Sequence, residues 1–284
     1  MKILLFFATL TMGALLAATV NVEAQRKSPS GKSSGLPTGA VITEIRVGKG
    51  FVFPVVNLAE KPKANIINDL LMRDALSDEI DGNVTATSIK ALFERQNKQR
   101  YRQGLAAIGY KVLLNSPTVL SLSIQIEVIG AHSNGWENRY NFDLSTGERF
   151  TLDQIVDLSA QDDIKKMILA DSRKRLIKVK NDVIRDMTSG TGGWNGGREL
   201  WFEKDMLDTS YENNWQANMS KEYSEIEIGQ KFVLSIKGIS FDYETSIGFP
   251  MSVRNLEPSS RYFYPWSVLR PYILSSSPLA ALMK

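Results

Sequence analysis

The chain has no cysteine and a single histidine, His132. The first absence excludes disulfides, thiolate nucleophiles, cysteine-ligated zinc, iron–sulfur clusters and the acylated cysteine of a lipoprotein anchor. The second excludes any site that needs two imidazoles from this chain. Neither sign of charge dominates: 34 Lys and Arg stand against 31 Asp and Glu. That balance is too even for a dedicated nucleic-acid binder, whose affinity rests on many unopposed phosphate contacts. No internal repeat is evident. What remains is 43% hydrophobic and 23% charged, the composition of a globular protein stabilised by its core alone.

The N-terminus reads as an export signal. Met1-Lys2 precedes an apolar run, Ile3–Val20, interrupted only by threonines and one glycine. Val22 and Ala24 then satisfy the small-residue rule for signal peptidase, which places cleavage between Ala24 and Gln25. The run also reaches the roughly 18 residues at which a transmembrane helix becomes possible. The threonines, the small-residue exit and the lack of flanking charge beyond Lys2 favour cleavage. The expected location is therefore periplasmic or secreted. Residues 25–38 (QRKSPSGKSSGLPT) read as a flexible leader.

The rest alternates strand and helix patterns. Ala40–Val56 predicts two short strands around Gly48 and Gly50, stopped by Pro54. Ala64–Ile80 carries Ile66, Ile67, Leu70, Leu71, Ala75 and Leu76 at helical spacing, and Ser88–Gly104 is a more polar, basic helical stretch. Ile108–Leu114 and Val119–Ile129 read as strands. In the second, Leu120, Leu122, Ile124, Ile126 and Val128 alternate with Ser121, Ser123, Gln125 and Glu127, which predicts one apolar face and one wet face. Arg139–Leu144 extends similarly, and Asp143–Gly147 supplies a turn. From about Asp162 to Met187, apolar residues at a period of 3.6 predict one long helix, with Arg173, Lys174, Arg175, Lys178, Lys180 and Arg185 on its outer face. Lys231–Tyr243 predicts a hairpin turning at Lys237-Gly238, and the chain from Ser275 is expected to fray.

Two stretches suggest a binding surface. The glycine-rich loop 189–197 displays Trp194; it lacks the lysine and the helix context of a nucleotide P-loop. The segment Glu199–Glu227 has eight acidic residues against Lys204 and Lys221, interleaved with Trp201, Phe202, Tyr211, Trp215 and Tyr223. Acids mixed with aromatics suit capture of a cationic protein. They equally suit aromatics packed inward under a solvated acidic face.

The block Leu120–Val156 carries Gly130-Ala131-His132, Asn141-Phe142-Asp143, Thr146-Gly147 and Leu152-Asp153. In that order these resemble the C-terminal extracellular domain of RsiV-type anti-sigma factors, the module also found beside PdaC-type peptidoglycan deacetylase domains. Phe53-Pro54-Val55, Ile66-Ile67-Asn68 and the closing Lys237–Tyr243 hairpin are similar to the same pattern, while Ser133 stands where glycine is commoner. The resemblance implies an α+β fold, an antiparallel β-sheet with helices packed on one face. It also implies a lysozyme-binding surface, lysozyme being a strongly basic glycosidase.

The expected layout is a signal peptide at 1–24, a leader at 25–38, a strand-helix subdomain at 39–115, an RsiV-like α+β subdomain at 116–274 and a tail at 275–284. Binding contacts are expected at His132, Trp136, Trp194, Trp201 and Trp215, and structural turn roles at Gly130, Ala131, Asn141, Asp143 and Gly147. His132 reads either as a general base oriented by Asp143 or Glu137, or as a ring bonded to the turn backbone; with no nucleophile elbow and no second histidine, the structural role is favoured. No catalytic residue, metal or cofactor is assigned. The function expected is that of an exported, non-enzymatic envelope binding protein whose ligand is a lysozyme-like cationic hydrolase or a cell-wall glycan. Neither nucleic acid nor, after signal cleavage, a membrane is expected as partner. The alternative is a carboxylate-dependent hydrolase of peptidoglycan or another envelope polysaccharide, since paired carboxylates follow no sequence spacing.

Overall fold

A computed structural model describes residues 39–99, 104–130, 133–189, 212–228, 232–247 and 257–280. The expected signal peptide and leader, His132 and residues 199–211 of the acidic segment lie outside them. Strands β1 (Val41–Val47) and β2 (Phe51–Asn57) form the first antiparallel pair. Pro54, expected to stop the strand, is buried inside β2. The reason is one of sides. Residues 54 and 56 share a backbone direction, and the Val56 N–H points away from β1 to the Asn68 side chain at 2.8 Å. β2 meets the next strand only at Phe51↔Ile108, so a missing N–H at Pro54 removes no ladder bond.

Helix α1 (Lys61–Leu76) turns Ile67, Leu71 and Ala75 inward. It begins before the expected Ala64, with proline in its first turn where no N–H is needed. α2 (Ala86–Lys98) opens on a reciprocal cap between Thr85 and Ser88 and buries Ile89, Leu92 and Phe93. Both helices share a core with the apolar faces of β3 (Gly104–Asn115), β4 (Val119–Ile129) and β5 (Ser133–Asp143). The sheet order is β1-β2-β3-β4-β5, antiparallel except for the β2–β3 join. The boundary expected near residue 115 falls between β3 and β4, which pair along their length. β5 starts at Ser133, earlier than the expected Arg139, because residues 133–138 pair with Ile124–Ile129.

A second, three-stranded sheet has the order β6-β7-β8: β6 (Phe232–Ser235), β7 (Gly238–Asp242) and β8 (Arg261–Pro265). Ile164, Ile168 and Leu169 of α3 (Leu158–Ser189) share its core with Phe232, Leu234, Ile239 and Phe241. The fold is thus α+β, with a long helix close to the predicted span. The basic residues of α3 are not all solvated, as the outer-face reading had it. Arg173 donates to the Lys221 carbonyl at 2.8 Å. Arg175 donates to the Arg261 carbonyl at 2.8 Å and lies 3.9 Å from the centre of the Tyr262 ring. Among the described residues, two short α-helices follow, α4 (Glu212–Ser220) and α5 (Trp266–Leu269). The end of the chain, expected to fray from Ser275, is docked through residue 280. Leu279 is buried in the second core, and Thr118 donates to the Pro278 carbonyl at 3.0 Å. No helix among the described residues is long and apolar enough to cross a membrane.

The wet face expected on β4 is wet only at its far end. Ser121 and Ser123 are fully buried, whereas Gln125 and Glu127 are exposed. The edge of the second sheet covers the serines. Strand β6 leaves an N–H and a C=O unpaired on the side away from β7, and an unpaired edge buried without partners would be costly. Asn141 of β5 supplies both: its amide donates to the Phe232 carbonyl at 3.0 Å and accepts from the Leu234 N–H at 3.3 Å. Ser121 donates to the Asn141 side-chain oxygen at 2.8 Å and accepts from the same Leu234 N–H at 3.2 Å. Asn68 clasps both backbone groups of Val56, and Asn115 both of Ala40, in the same manner. An asparagine amide, one donor beside one acceptor, stands in for a missing strand neighbour at all three places.

Candidate functional site

The residues of the RsiV-like motif converge on the β4–β5 hairpin and the turn after it. Gly130 is an exposed bend at the end of β4. Ala131 and His132 lie outside the described residues, as do Trp194, Trp201 and the Ala24–Gln25 junction. Asn141 was expected at a turn; it sits inside β5 and clamps β6 as described above. Asp143 organises the following turn: its carboxylate accepts from the Ser145 N–H at 2.7 Å, and its carbonyl from the Gly147 N–H at 2.7 Å. Gly147 has φ +82°, and an added Cβ would lie 2.7 Å from the Lys63 carbonyl oxygen at the start of α1. Only glycine fits both the turn and that approach.

Trp136 is 44% exposed and lies opposite Ile126 across the β4–β5 ladder. It therefore occupies the outer end of the face whose inner part is the first core, a large apolar surface held by eleven-residue strands on a paired hairpin. Trp215 is placed differently. On α4 it is half-buried, its indole N–H donates to the Leu176 carbonyl at 3.4 Å, and the Lys180 ammonium lies 3.9 Å from its ring centre. Its partners belong to α3, those of Trp136 to β4. Tyr223 likewise meets Lys166 of α3 at 5.1 Å. In the described part of the acidic segment, cations of the long helix cover these aromatic rings.

Behind Trp136, on the opposite face of β5, runs a charge network that sequence reasoning missed. Glu137 accepts from Arg139 at 2.7 Å and from Arg261 of β8 at 2.7 Å. Arg139 also pairs with Asp242 of β7, which lies 3.7 Å from Arg261. Burial of Glu137 opposes its ionisation, but the hydrogen bond from Arg139 and the charges of both guanidiniums outweigh it. Its carboxyl is held below the usual glutamate range. Glu137 and Arg139, two residues apart, share a strand face and were legible as a pair; Asp242 and Arg261 come from elements far away in sequence. Asp242 also lines a cleft of about 340 Å³ with Glu244, Thr245 and Glu257. The Glu257 carboxylate is engaged there by the Ile247 N–H at 2.8 Å. No group of three or more His, Asp or Glu side chains among the described residues is placed to hold a metal ion.

No family model matches this chain, and no curated protein matches its sequence. Solved structures do resemble it. A member of the DUF3298 family from Bacteroides fragilis aligns over 88% of this chain and 99% of its own, at 14% identity and a TM-score of 0.46. A DUF3298 family protein from Pseudomonas aeruginosa PAO1 aligns over 85% of this chain and 96% of its own, at 14% identity and a TM-score of 0.44. The structural neighbours of the chain are thus DUF3298 family proteins, DUF3298 being the domain found in RsiV- and PdaC-like proteins.

Proposed function

We propose that this is an exported, non-enzymatic binding protein of the bacterial cell envelope, contacting its ligand through the end of the β4–β5 hairpin. The observation that carries the reading is Trp136: a large indole, 44% exposed, on a paired strand beside the Gly130 bend. An exposed ring on a fixed scaffold supplies contact area at little entropic cost. The favoured ligand is a lysozyme-like cationic hydrolase, with a cell-wall glycan as the other ligand class. The exposed Glu127, on the opposite face of the same hairpin, adds negative charge near that end, which suits the first. Glu137, the carboxylate nearest to hand for the hydrolase alternative, is committed to two arginines and held ionised, which is unsuited to a catalytic acid.

The test is retention of hen lysozyme by the immobilised chain starting at Gln25, at low and high salt. Salt-sensitive retention that Trp136→Ala weakens about tenfold or more is expected, the loss of a well-packed anchor. No retention at low salt removes the hydrolase partner; retention unaffected by Trp136→Ala removes this surface. Release of cell-wall fragments that a single Asp or Glu substitution abolishes would instead make the chain an enzyme.

A further inference from the structure

Among the described residues, three of the four sheet edges carry a cover. Asn141 and Ser121 bond the edge of β6, Arg149 bridges β5 at Phe142, and Arg175 bonds the Arg261 carbonyl of β8. The edge formed by β1 has none. Val56 turns its N–H and C=O away from β1, so β2 meets β1 through residues 51, 53, 55 and 57, opposite 47, 45, 43 and 41. By alternation, Ile42, Glu44 and Arg46 direct their backbone groups outward. None of these groups has a hydrogen-bond partner among the described residues. The strand also lacks the usual guards of a free edge: it has no proline and no lysine, and it pairs with β2 without a bulge. Its two charges are of opposite sign.

The sequence of this edge complements itself. Glu44 and Arg46 flank Ile45 symmetrically. Within one chain Arg46 donates to Glu44 at 2.6 Å, and Tyr110 donates to the other carboxylate oxygen at 3.0 Å. Neither Glu44 nor Arg46 has another ion-pair partner among the described residues. When a second copy of β1 runs antiparallel along the edge, outward residues must oppose outward residues. With the two-fold axis at Ile45, each Glu44 faces the Arg46 of the other copy, and the two ion pairs join as a ring of alternating charge. Moving the axis by one residue sets Glu44 against Glu44 or Arg46 against Arg46, and like charges directly opposite are destabilising. We infer that this chain forms a symmetric dimer through β1, joining two sheets into one. Ile45 and Val47, half-buried at the rim of the first core, then meet Ile45 and Thr43 of the other copy. β1 and β5 are opposite edges of the sheet. The dimer therefore leaves the β4–β5 hairpin of each copy at a far end, and does not depend on what that hairpin binds.

The test is sedimentation equilibrium of the chain starting at Gln25, which keeps the whole folded unit Pro37–Lys284. A pair of seven-residue edges is small against the roughly 1,200–2,000 Å² of a stable interface, so a dissociation constant of about 10–100 μM is expected. Glu44→Arg and Arg46→Glu should each weaken self-association about tenfold or more, because each sets like charges opposite. Mixed in equal amounts, the two variants should associate with each other as tightly as wild type, since each supplies the charges that the other lacks. Unchanged urea midpoints would show that both fold. A chain with both substitutions keeps the pair within the strand and should dimerise like wild type. Three results overturn the inference: a wild-type monomer throughout that concentration range, dimerisation that neither variant weakens, or a mixture that associates no better than its components. The first would leave the edge to a strand from another protein.

Discussion

Replacing Asn141 by alanine tests whether one side chain holds the edge of the second sheet on the first. The amide donates to the Phe232 carbonyl and accepts from Ser121 and from the Leu234 N–H. The Leu234 N–H keeps the Ser121 oxygen at 3.2 Å in the variant. Two buried groups then lose their partner, the Phe232 carbonyl and the Ser121 hydroxyl. At about 1–1.5 kcal/mol for each, plus the void left behind, the expected loss is about 2–4 kcal/mol. That is a large share of the roughly 5–15 kcal/mol by which a domain is stable. Urea unfolding of the chain starting at Gln25 reads it as a lower midpoint at unchanged slope. A double-mutant cycle with Ser121→Ala should return a coupling of about 0.5–1.5 kcal/mol. Asn141→Asp should be at least as damaging at neutral pH, because a carboxylate cannot donate to Phe232 and is itself desolvated. A cost below about 0.5 kcal/mol for Asn141→Ala, the range of ordinary surface substitutions, would refute the surrogate-strand role.

Gly147→Ala should destabilise by more than the roughly 1–2 kcal/mol of a left-handed alanine, because its Cβ also meets the Lys63 backbone; a thermal midpoint equal to wild type would contradict this. Glu137 has a folded pKa lowered from its ordinary value of 4.5. Its stabilising contribution is therefore complete above that value and lost as pH falls below it through the lowered folded value. Glu137→Gln should flatten the acid limb of a stability-versus-pH curve, and an identical limb in the variant would count against the network.

What was legible in the sequence followed from local periodicity. Strand β4 was readable to the residue because alternation of period two is written into Leu120–Val128, and α3 because its apolar residues keep helical phase over many turns. Proline at position 54 misled, since the pattern says that a residue lacks an N–H but not which side of the strand faces no partner. The alternation of β4 also misled: serine at positions 121 and 123 signals a polar side, and only the docking of a strand more than a hundred residues away turns that side into an interface. Ile236 was taken into the strand for the same reason; it lies exposed in the β6–β7 turn, which depends on where the chain reverses. Trp136 was named from sequence as a binding contact, but its exposure, like the pairing of Glu137 with Arg261, is visible only in the structure.

By itself, then, the sequence determined most of the long elements, the absence of cysteine and the absence of a two-imidazole site, since these depend on residue types and near-neighbour spacing, while the α+β class was implied by the family resemblance. Tertiary structure alone decided which polar residues are buried, how three asparagines replace missing strand neighbours, and which apolar side chains stay in water. Those outcomes hang on contacts between segments remote in sequence, and such contacts leave no periodic trace in either partner.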